Sequence, residues 1–270
     1  MIQPLHLANN ANISIKKSSL IVILCLVRML SFAQTDIGFS ADRPGEATGP
    51  DVMPLRKVQW ETGVGWSRHF DTDKYTINST LFRYGLTRFA ELRIGIDLLH
   101  NRTPNLRDYT TGLSALAIGT KARVLNGHRA MPTVAILAEL QCPHIGSSQF
   151  TPDHLAPSLY LLFNNDIFDW LGIGYSVGSE WDGSVPVPIA FLAVTLSFSP
   201  IDNLGLFIES YNRFSQYPNQ FLESKREHSI DFGVTWMVHP RVQIDVATNM
   251  NLQRPSKYFA ISGGMAWLIN

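Results

Sequence analysis

The amino-acid sequence predicts an all-β chain folded as an antiparallel, up-and-down transmembrane barrel of about twelve strands. Three observations predict it: a leader-like N-terminus, segments of about ten residues in which apolar side chains alternate with small or polar ones, and connections that are short and long in turn. Only 16% of the 270 residues are charged, whereas soluble domains carry roughly 25%. Part of the surface is therefore expected to face something other than water.

The N-terminus has the pattern of a secretory leader. Lys16 and Lys17 precede an apolar run at 20–30, and Ser31 and Ala33 supply the small residues of a cleavage site. The apolar run is shorter than the roughly 20 residues that a membrane-spanning helix needs. The chain is accordingly divided into a signal peptide at 1–33, an N-terminal periplasmic or lumenal segment at 34–57, and a barrel at 58–270 in the outer membrane of a Gram-negative cell.

The strands follow from two-residue periodicity, which places alternate side chains on opposite faces. The clearest segments are 58–67, 91–99, 116–124, 171–178 and 242–247, and less regular ones at 75–84, 131–141, 157–164, 186–198, 204–214, 228–238 and 258–268 complete twelve. Within 91–99, for example, Ile94 and Ile96 are expected to face lipid, whereas Arg93 and Asp97 face the lumen.

The connections support membrane topology. Those after even-numbered strands are short, at 85–90, 126–130, 165–169, 199–203 and 239–241, and the long ones are 100–110, 142–156 and 215–227, with intermediate ones after the first, seventh and eleventh strands. Bacterial barrels have short periplasmic turns and longer outer loops. A soluble β-sandwich is the alternative, but its exposed face should be charged, whereas the second face here is mostly glycine, serine, threonine and alanine. Aromatic residues near strand ends also match interfacial girdles: Trp60, Trp66, Tyr84, Trp170, Trp181, Trp236 and Trp267.

Several short motifs resemble one bacterial family. They are ADRPGEAT at 41–48, VQWETG at 58–63, LFRYGLT at 81–87 with ELR at 91–93, and IGTK at 118–121. They resemble the family described as "putative MetA-pathway of phenol degradation", although Ala41 and Gly45 stand where that family often has Thr and Asp. The resemblance implies an outer-membrane, transporter-like barrel for small solutes, apolar or aromatic ones among them. The chain ends on Asn270, where such barrels usually end on an aromatic residue.

Strand phase also predicts which charged side chains line the lumen. The candidates are Glu61, Arg83, Glu91, Arg93, Asp97, Lys121, Arg123, Glu139, Glu209, Arg213, Asp231 and Asp245. Groups of both signs form either a charged constriction that selects solutes or a salt-bridged filling that stabilises the wall. Twelve strands lie between the roughly eight whose lumen side chains fill and the roughly sixteen that leave a water channel, so both interpretations stay open.

The segment at 34–57 also has two interpretations. A flexible tail is the ordinary state of a chain terminus. The alternative is a plug in the lumen, with Arg43 competing for the carboxylates of the first and third strands. The family motif falls in this segment, which favours an ordered role.

No catalytic, metal or cofactor site is predicted. Cys142, His144, Asp153 and His154 share one loop, but their spacing fits no familiar metal site. Ser210 points outward without a histidine in register, and no G-x-S-x-G elbow occurs.

The expected function is the passage or binding of a small solute by a barrel that is not an enzyme. Three of the 22 basic groups and none of the 22 acidic ones lie in 1–33, so the remainder carries a formal charge of −3, which does not favour nucleic acid. Expected partners are the lipid bilayer, the outer-membrane assembly machinery and the solute. A structural or adhesive barrel whose long outer loops bind a partner is the alternative, and an outer-membrane hydrolase is the least favoured.

Overall fold

A computed structural model describes residues 39–103, 108–128, 131–215, 226–252 and 258–270. Its regular structure is entirely β: β1 (Val58–His69), β2 (Thr72–Gly85), β3 (Ala90–Thr103), β4 (Asp108–Leu113), β5 (Ala117–Leu125), β6 (Thr133–Gln141), β7 (Ala156–Phe168), β8 (Leu171–Glu180), β9 (Ile189–Ile201), β10 (Leu204–Phe214), β11 (Arg226–His239), β12 (Val242–Asn251) and β13 (Tyr258–Leu268). The expected signal peptide, 1–33, lies outside these ranges and stays a prediction. Over the described ranges, no helix is long and apolar enough to cross a membrane.

The strands form one closed antiparallel barrel. Sequential strands pair along the wall, and β13 closes it by pairing with β1. The segments β4 and β5 share one position, because β5 pairs with the first half of β3 and β4 with the second half. The barrel therefore has twelve strand positions, as the sequence predicted.

Several strands extend further than predicted. The expected loop at 100–110 includes the end of β3 and the start of β4, and the first connection, expected to be of intermediate length, is only residues 70–71. Conversely, β9 begins at Ile189, so Pro186 and Pro188, which lie in the expected strand 186–198, precede it. Apolar alternation marks only the part of a strand that faces lipid, whereas backbone hydrogen bonds continue into water, so the pattern ends before the ladder does.

The two faces of the wall differ as predicted. Ile94 and Val64 are 40% and 59% exposed on the outer face, where a bilayer would cover them. Arg93 and Gly63, which precede them and face the lumen, are buried. The barrel has a short-turn end, where 86–89, 126–132, 169–170, 202–203 and 240–241 connect strands, and an opposite long-loop end.

Aromatic side chains lie near both ends of the wall. Trp60 stacks on Phe82 at 6.2 Å between ring centres and pairs across the ladder with Trp267 at the short-turn end. Trp66 meets Phe259 edge-on at 6.1 Å nearer the long-loop end. These positions match the interfacial belts of membrane barrels.

Candidate functional site

Residues 39–57, here called the inner segment, lie inside the barrel ahead of β1. Side chains of the wall accept hydrogen bonds from its backbone N–H groups and donate hydrogen bonds to its backbone carbonyls. The Met53 N–H donates to Glu91 at 2.7 Å. Arg83 and Lys121 donate to the carbonyls of Ser40 and Gly49 at 2.6 and 3.0 Å. The segment contains no strand, so side chains of the wall satisfy backbone groups that a ladder would otherwise pair.

Asp42 is surrounded by the cationic side chains of three wall residues. Its carboxylate is 2.8 Å from Lys121 Nζ and 3.5 Å from Arg83, and it also pairs with Arg93. Burial opposes ionisation of Asp42, but the charges of Arg83, Lys121 and Arg93 lower its pKa well below the usual range. Asp42 is therefore an anion bound by the wall.

The cations around Asp42 are also paired with carboxylates of the wall itself. Arg83 lies 2.9 Å from Glu91 and 3.0 Å from Glu61. The Glu61 carboxylate also accepts the N–H groups of Asp42 and Arg43. Buried charges are tolerated only when they are paired and hydrogen-bonded in this way. We call this group on β1, β2, β3 and β5 the mixed-charge wall: Glu61, Arg83, Glu91, Arg93 and Lys121.

Three carboxylates lie on the neighbouring strands β10, β11 and β12, and we call Glu209, Asp231 and Asp245 the acidic wall. Glu209 accepts the N–H groups of Glu46 and Ala47 at 2.9 and 3.0 Å, and Asp231 accepts the side-chain amide of Asn249. The inner segment thus supplies donors to this wall.

Arg43 makes the most specific contact with the acidic wall. Its Nε and Nη2 donate to the two oxygens of Asp245 at 3.2 and 3.1 Å, and its Nη1 lies 3.4 Å from the Ser79 hydroxyl. The guanidinium lies against Gly63 and Gly264, which face each other across β1 and β13. A Cβ at Gly63 would lie 2.5 Å from the guanidinium, and one at Gly264 would be as close. A side chain at either position would displace the guanidinium from its present place.

Glu46 extends the contacts toward the long-loop end. Its carboxylate is 2.9 Å from Arg213, which also pairs with Glu180 at 3.1 Å. The Arg213 guanidinium lies 5.0 Å from the ring centres of both Phe191 and Tyr211. An arginine held on two rings and by two carboxylates has few alternative conformations.

The inner segment lies between two chambers. A chamber of about 270 Å³ borders Arg43, Pro44 and Glu209 on the short-turn side, and one of about 310 Å³ borders Pro44, Glu46 and Asp231 on the other side. The second chamber shares lining residues, among them Tyr258, with an outer vestibule of about 850 Å³ at the long-loop end. Residues 43–46 thus lie between the two chambers.

The twelve lumen candidates proposed from strand phase differ in burial. Eight are buried: Glu61, Arg83, Glu91, Arg93, Lys121, Glu209, Asp231 and Asp245. The other four are partly exposed: Asp97, Arg123, Glu139 and Arg213. Of these, Arg123, Glu139 and Arg213 join ion pairs with Asp51, Arg93 and Glu46.

The partners of the inner segment differ from those expected. Arg43 pairs with Asp245 on β12 instead of the carboxylates of the first and third strands, because Arg83, Arg93 and Lys121 already occupy those. Sequence reasoning missed Asp42, which is the group that enters the mixed-charge wall, and also missed Glu46. Their place beside Arg43 in the ADRPGE motif was the available signal.

The loop residues considered as metal ligands do not form a site. Over the described ranges, no three His, Cys, Asp or Glu side chains gather where they could hold a metal ion, and Cys142 is a free thiol. Ser210 has Val194 and Ile230 as its cross-strand neighbours, so the ladder places no histidine or carboxylate beside it.

Comparisons with solved structures identify the same architecture in outer-membrane proteins. The COG4313 outer membrane channel from Pseudomonas putida F1 superposes with a TM-score of 0.64 at 11% identity, over 84% of this chain and 99% of that one. The NanC porin gives 0.55 at 7% identity, over 77% and 98%. The KdgM porin, solved with disordered oligogalacturonate, gives 0.51 at 8% identity, over 78% and 99%. At these identities the likeness concerns the fold.

The family assignment rests on the sequence itself. No curated protein matches this chain. The family model described as "Putative MetA-pathway of phenol degradation" matches residues 41–269, a range that includes most of the inner segment and nearly the whole barrel. The chain therefore belongs to that family.

Proposed function

We propose that this chain is an exported outer-membrane channel for small solutes, and that its inner segment is a plug that narrows the passage. One observation carries the proposal: chambers of about 270 and 310 Å³ lie on either side of Pro44. Chambers of this size suit small molecules. The fold shared with an outer membrane channel and with porins supports passage, and the family description suggests aromatic compounds as candidate solutes.

The attachment of the inner segment suits a removable plug. From residue 39 to residue 55, its described hydrogen bonds and ion pairs with the strands involve side chains, such as Asp42 with Lys121 and Arg43 with Asp245. Arg56 and Lys57 form backbone hydrogen bonds with Gly85 at the end of β2. The barrel closes through β1 and β13 without it. Residues 39–55 can therefore leave the lumen without breaking any ladder, while residues 56–57 stay attached to β2.

Single-channel recording of the protein in planar bilayers tests the proposal. Deletion of residues 36–55 should raise conductance, because the segment no longer separates the chambers. Arg43→Ala alone should increase cation preference, measured as a reversal potential in a salt gradient, because the acidic wall loses its paired cation. Gly49→Ala is the matched control, since an added Cβ there meets nothing within 4 Å.

Heat-modifiable migration in gels must show that each variant still forms a barrel. Unchanged conductance in a folded deletion variant would show that the segment is not a plug. No conductance in any folded variant would favour the structural or adhesive alternative. Protein that begins near residue 34 and fractionates with outer membranes would support export, and intact 1–33 on cytosolic protein would contradict it.

A further inference from the structure

Arg43 occupies a seat formed by Gly63, Ser79, Asp245 and Gly264, on four neighbouring strands of the closed wall. We propose that this seat is a binding site for free guanidinium compounds, which take the place of the Arg43 side chain. The inference rests on the geometry of the seat and does not require that the barrel conduct.

The shape of the seat matches a flat ion. The three atoms nearest to a Cβ built at Gly63 all belong to the Arg43 guanidinium, so bare backbone forms the surface on which that group lies. Asp245 then receives two of its N–H groups in a bidentate pair. A guanidinium fills such a surface and such a fork, whereas an ammonium is compact, more strongly hydrated and without a planar fork.

The charge of the seat also demands a cation. The Asp245 side chain is 0% exposed, and in the described part of the chain its ion pair is with Arg43. Removal of the Arg43 side chain would leave this carboxylate buried and uncompensated, which is strongly unfavourable. The emptied seat therefore favours a replacement cation of the same shape.

A small ion has a route to the seat. Arg43 is 17% exposed and lines the chamber of about 270 Å³ on the short-turn side. That chamber is larger than a guanidinium ion, so methylguanidinium can enter from it the space that the Arg43 side chain leaves in Arg43→Ala.

Isothermal titration calorimetry of the full-length mature barrel carrying Arg43→Ala tests the proposal. Methylguanidinium should bind saturably and at least about tenfold more tightly than methylammonium, which has the same charge but cannot form the bidentate pair. The unsubstituted protein should bind methylguanidinium more weakly, because Arg43 already fills the seat.

Two second-site variants on the Arg43→Ala background make the test specific. Gly63→Ala should abolish the preference for methylguanidinium by filling the surface, and Asp245→Asn should abolish it by removing the charge. Gly65→Ala is the matched control on the same strand and face, because the nearest atom to an added Cβ is 3.4 Å away.

Heat-modifiable migration confirms the fold of each variant. Equal affinity for the two cations would overturn the proposal, and so would a preference that survives Asp245→Asn in a folded barrel. If Gly63→Ala does not fold, Asp245→Asn still shows whether the preference for methylguanidinium depends on this seat. Calorimetry does not depend on conduction, so failure of this proposal leaves the proposed channel function standing, and the reverse also holds.

Discussion

The mixed-charge wall and the acidic wall hold the inner segment by different means. The mixed-charge wall binds the Asp42 side chain with Arg83, Arg93 and Lys121. The acidic wall accepts donors from the segment, among them the guanidinium of Arg43. Two adjacent residues of opposite charge therefore pair with different groups of strands, Asp42 with cations on β2, β3 and β5 and Arg43 with a carboxylate on β12, and this pattern fixes the orientation of the segment.

The two walls also differ in how far they are complete without the segment. Three cations and two carboxylates give the mixed-charge wall a formal charge of +1, and its ion pairs between Arg83 and both Glu61 and Glu91 involve wall residues alone. The acidic wall carries −3 and depends on the segment for its cation. Substitutions in the mixed-charge wall should therefore affect the barrel, whereas substitutions in the acidic wall should mainly affect docking.

The largest effect is expected for Arg83→Ala, which leaves Glu61, Glu91 and Asp42 without their shared cation. Removing one partner of a buried ion network costs about 3–5 kcal/mol, so urea titrations of the refolded barrel should show a decrease of that order in the free energy of unfolding. Asp245→Asn, on the acidic wall, should cost about 2 kcal/mol, as for the loss of a charged hydrogen bond. Equal costs would contradict the distinction between the walls.

The outer faces of the two walls should behave alike. Ile94 on β3 and Ile244 on β12 are 40% and 38% exposed toward the expected bilayer. Arg at either position should cost up to about 2–4 kcal/mol in the free energy of unfolding in lipid, a range that applies near the middle of a bilayer and falls toward its interfaces. A large difference between Ile94→Arg and Ile244→Arg would show that only one of the walls faces lipid, whereas Ile94→Val and Ile244→Val should be nearly neutral.

Acid should weaken the hold of the mixed-charge wall on Asp42 only at low pH. Because the folded-state pKa of Asp42 is lowered, its stabilisation is fully present above the unfolded value of about 3.9 and is lost as pH falls toward the folded value. Asp42→Asn should remove up to about 1.4 kcal/mol per pH unit from the slope of unfolding free energy against pH below that point. Parallel slopes for the two proteins from pH 4 to pH 2 would contradict the assignment of Asp42 as a bound anion.

The smallest effects should distinguish the two glycines of the segment. An added Cβ at Gly45 meets a Glu209 oxygen at 3.2 Å, whereas one at Gly49 meets nothing within 4 Å. Gly49→Ala should change the free energy of unfolding by less than about 0.5 kcal/mol, as for open sites. Gly45→Ala should shift Glu209 and weaken docking measurably more. Identical results for both would show that the segment does not press on the acidic wall.

The barrel was predictable because its wall is a boundary between two environments. Period-two alternation sorts Ile94 outward and Arg93 inward wherever lipid lies outside, so the strand count and the phase could be derived from local sequence. The segment β4 was missed because its residues lie beyond that alternation, where polar side chains face water on both sides and hydrogen bonding alone defines the strand.

The partners inside the lumen could not be predicted in the same way. Strand phase shows that Asp245 points inward, but its distance from Arg43 depends on closure of the ring between residues 202 positions apart. The roles of Gly63 and Gly264 were equally hidden, because a glycine in a strand gives no sign of the side chain that will lie over it. Asp42 and Glu46 lie before the first strand, where no periodicity assigns a face.

The seat of Arg43 can form only after the barrel has closed. Gly63 is on the first strand, whereas Asp245 and Gly264 are on the last two. During synthesis the first strand exists long before the others, and Gly63 meets Gly264 only when β13 pairs with β1. The seat is therefore absent from every incomplete sheet. Arg43 can therefore occupy the seat only in a chain whose β1 and β13 have paired, and its position there shows that the barrel is complete.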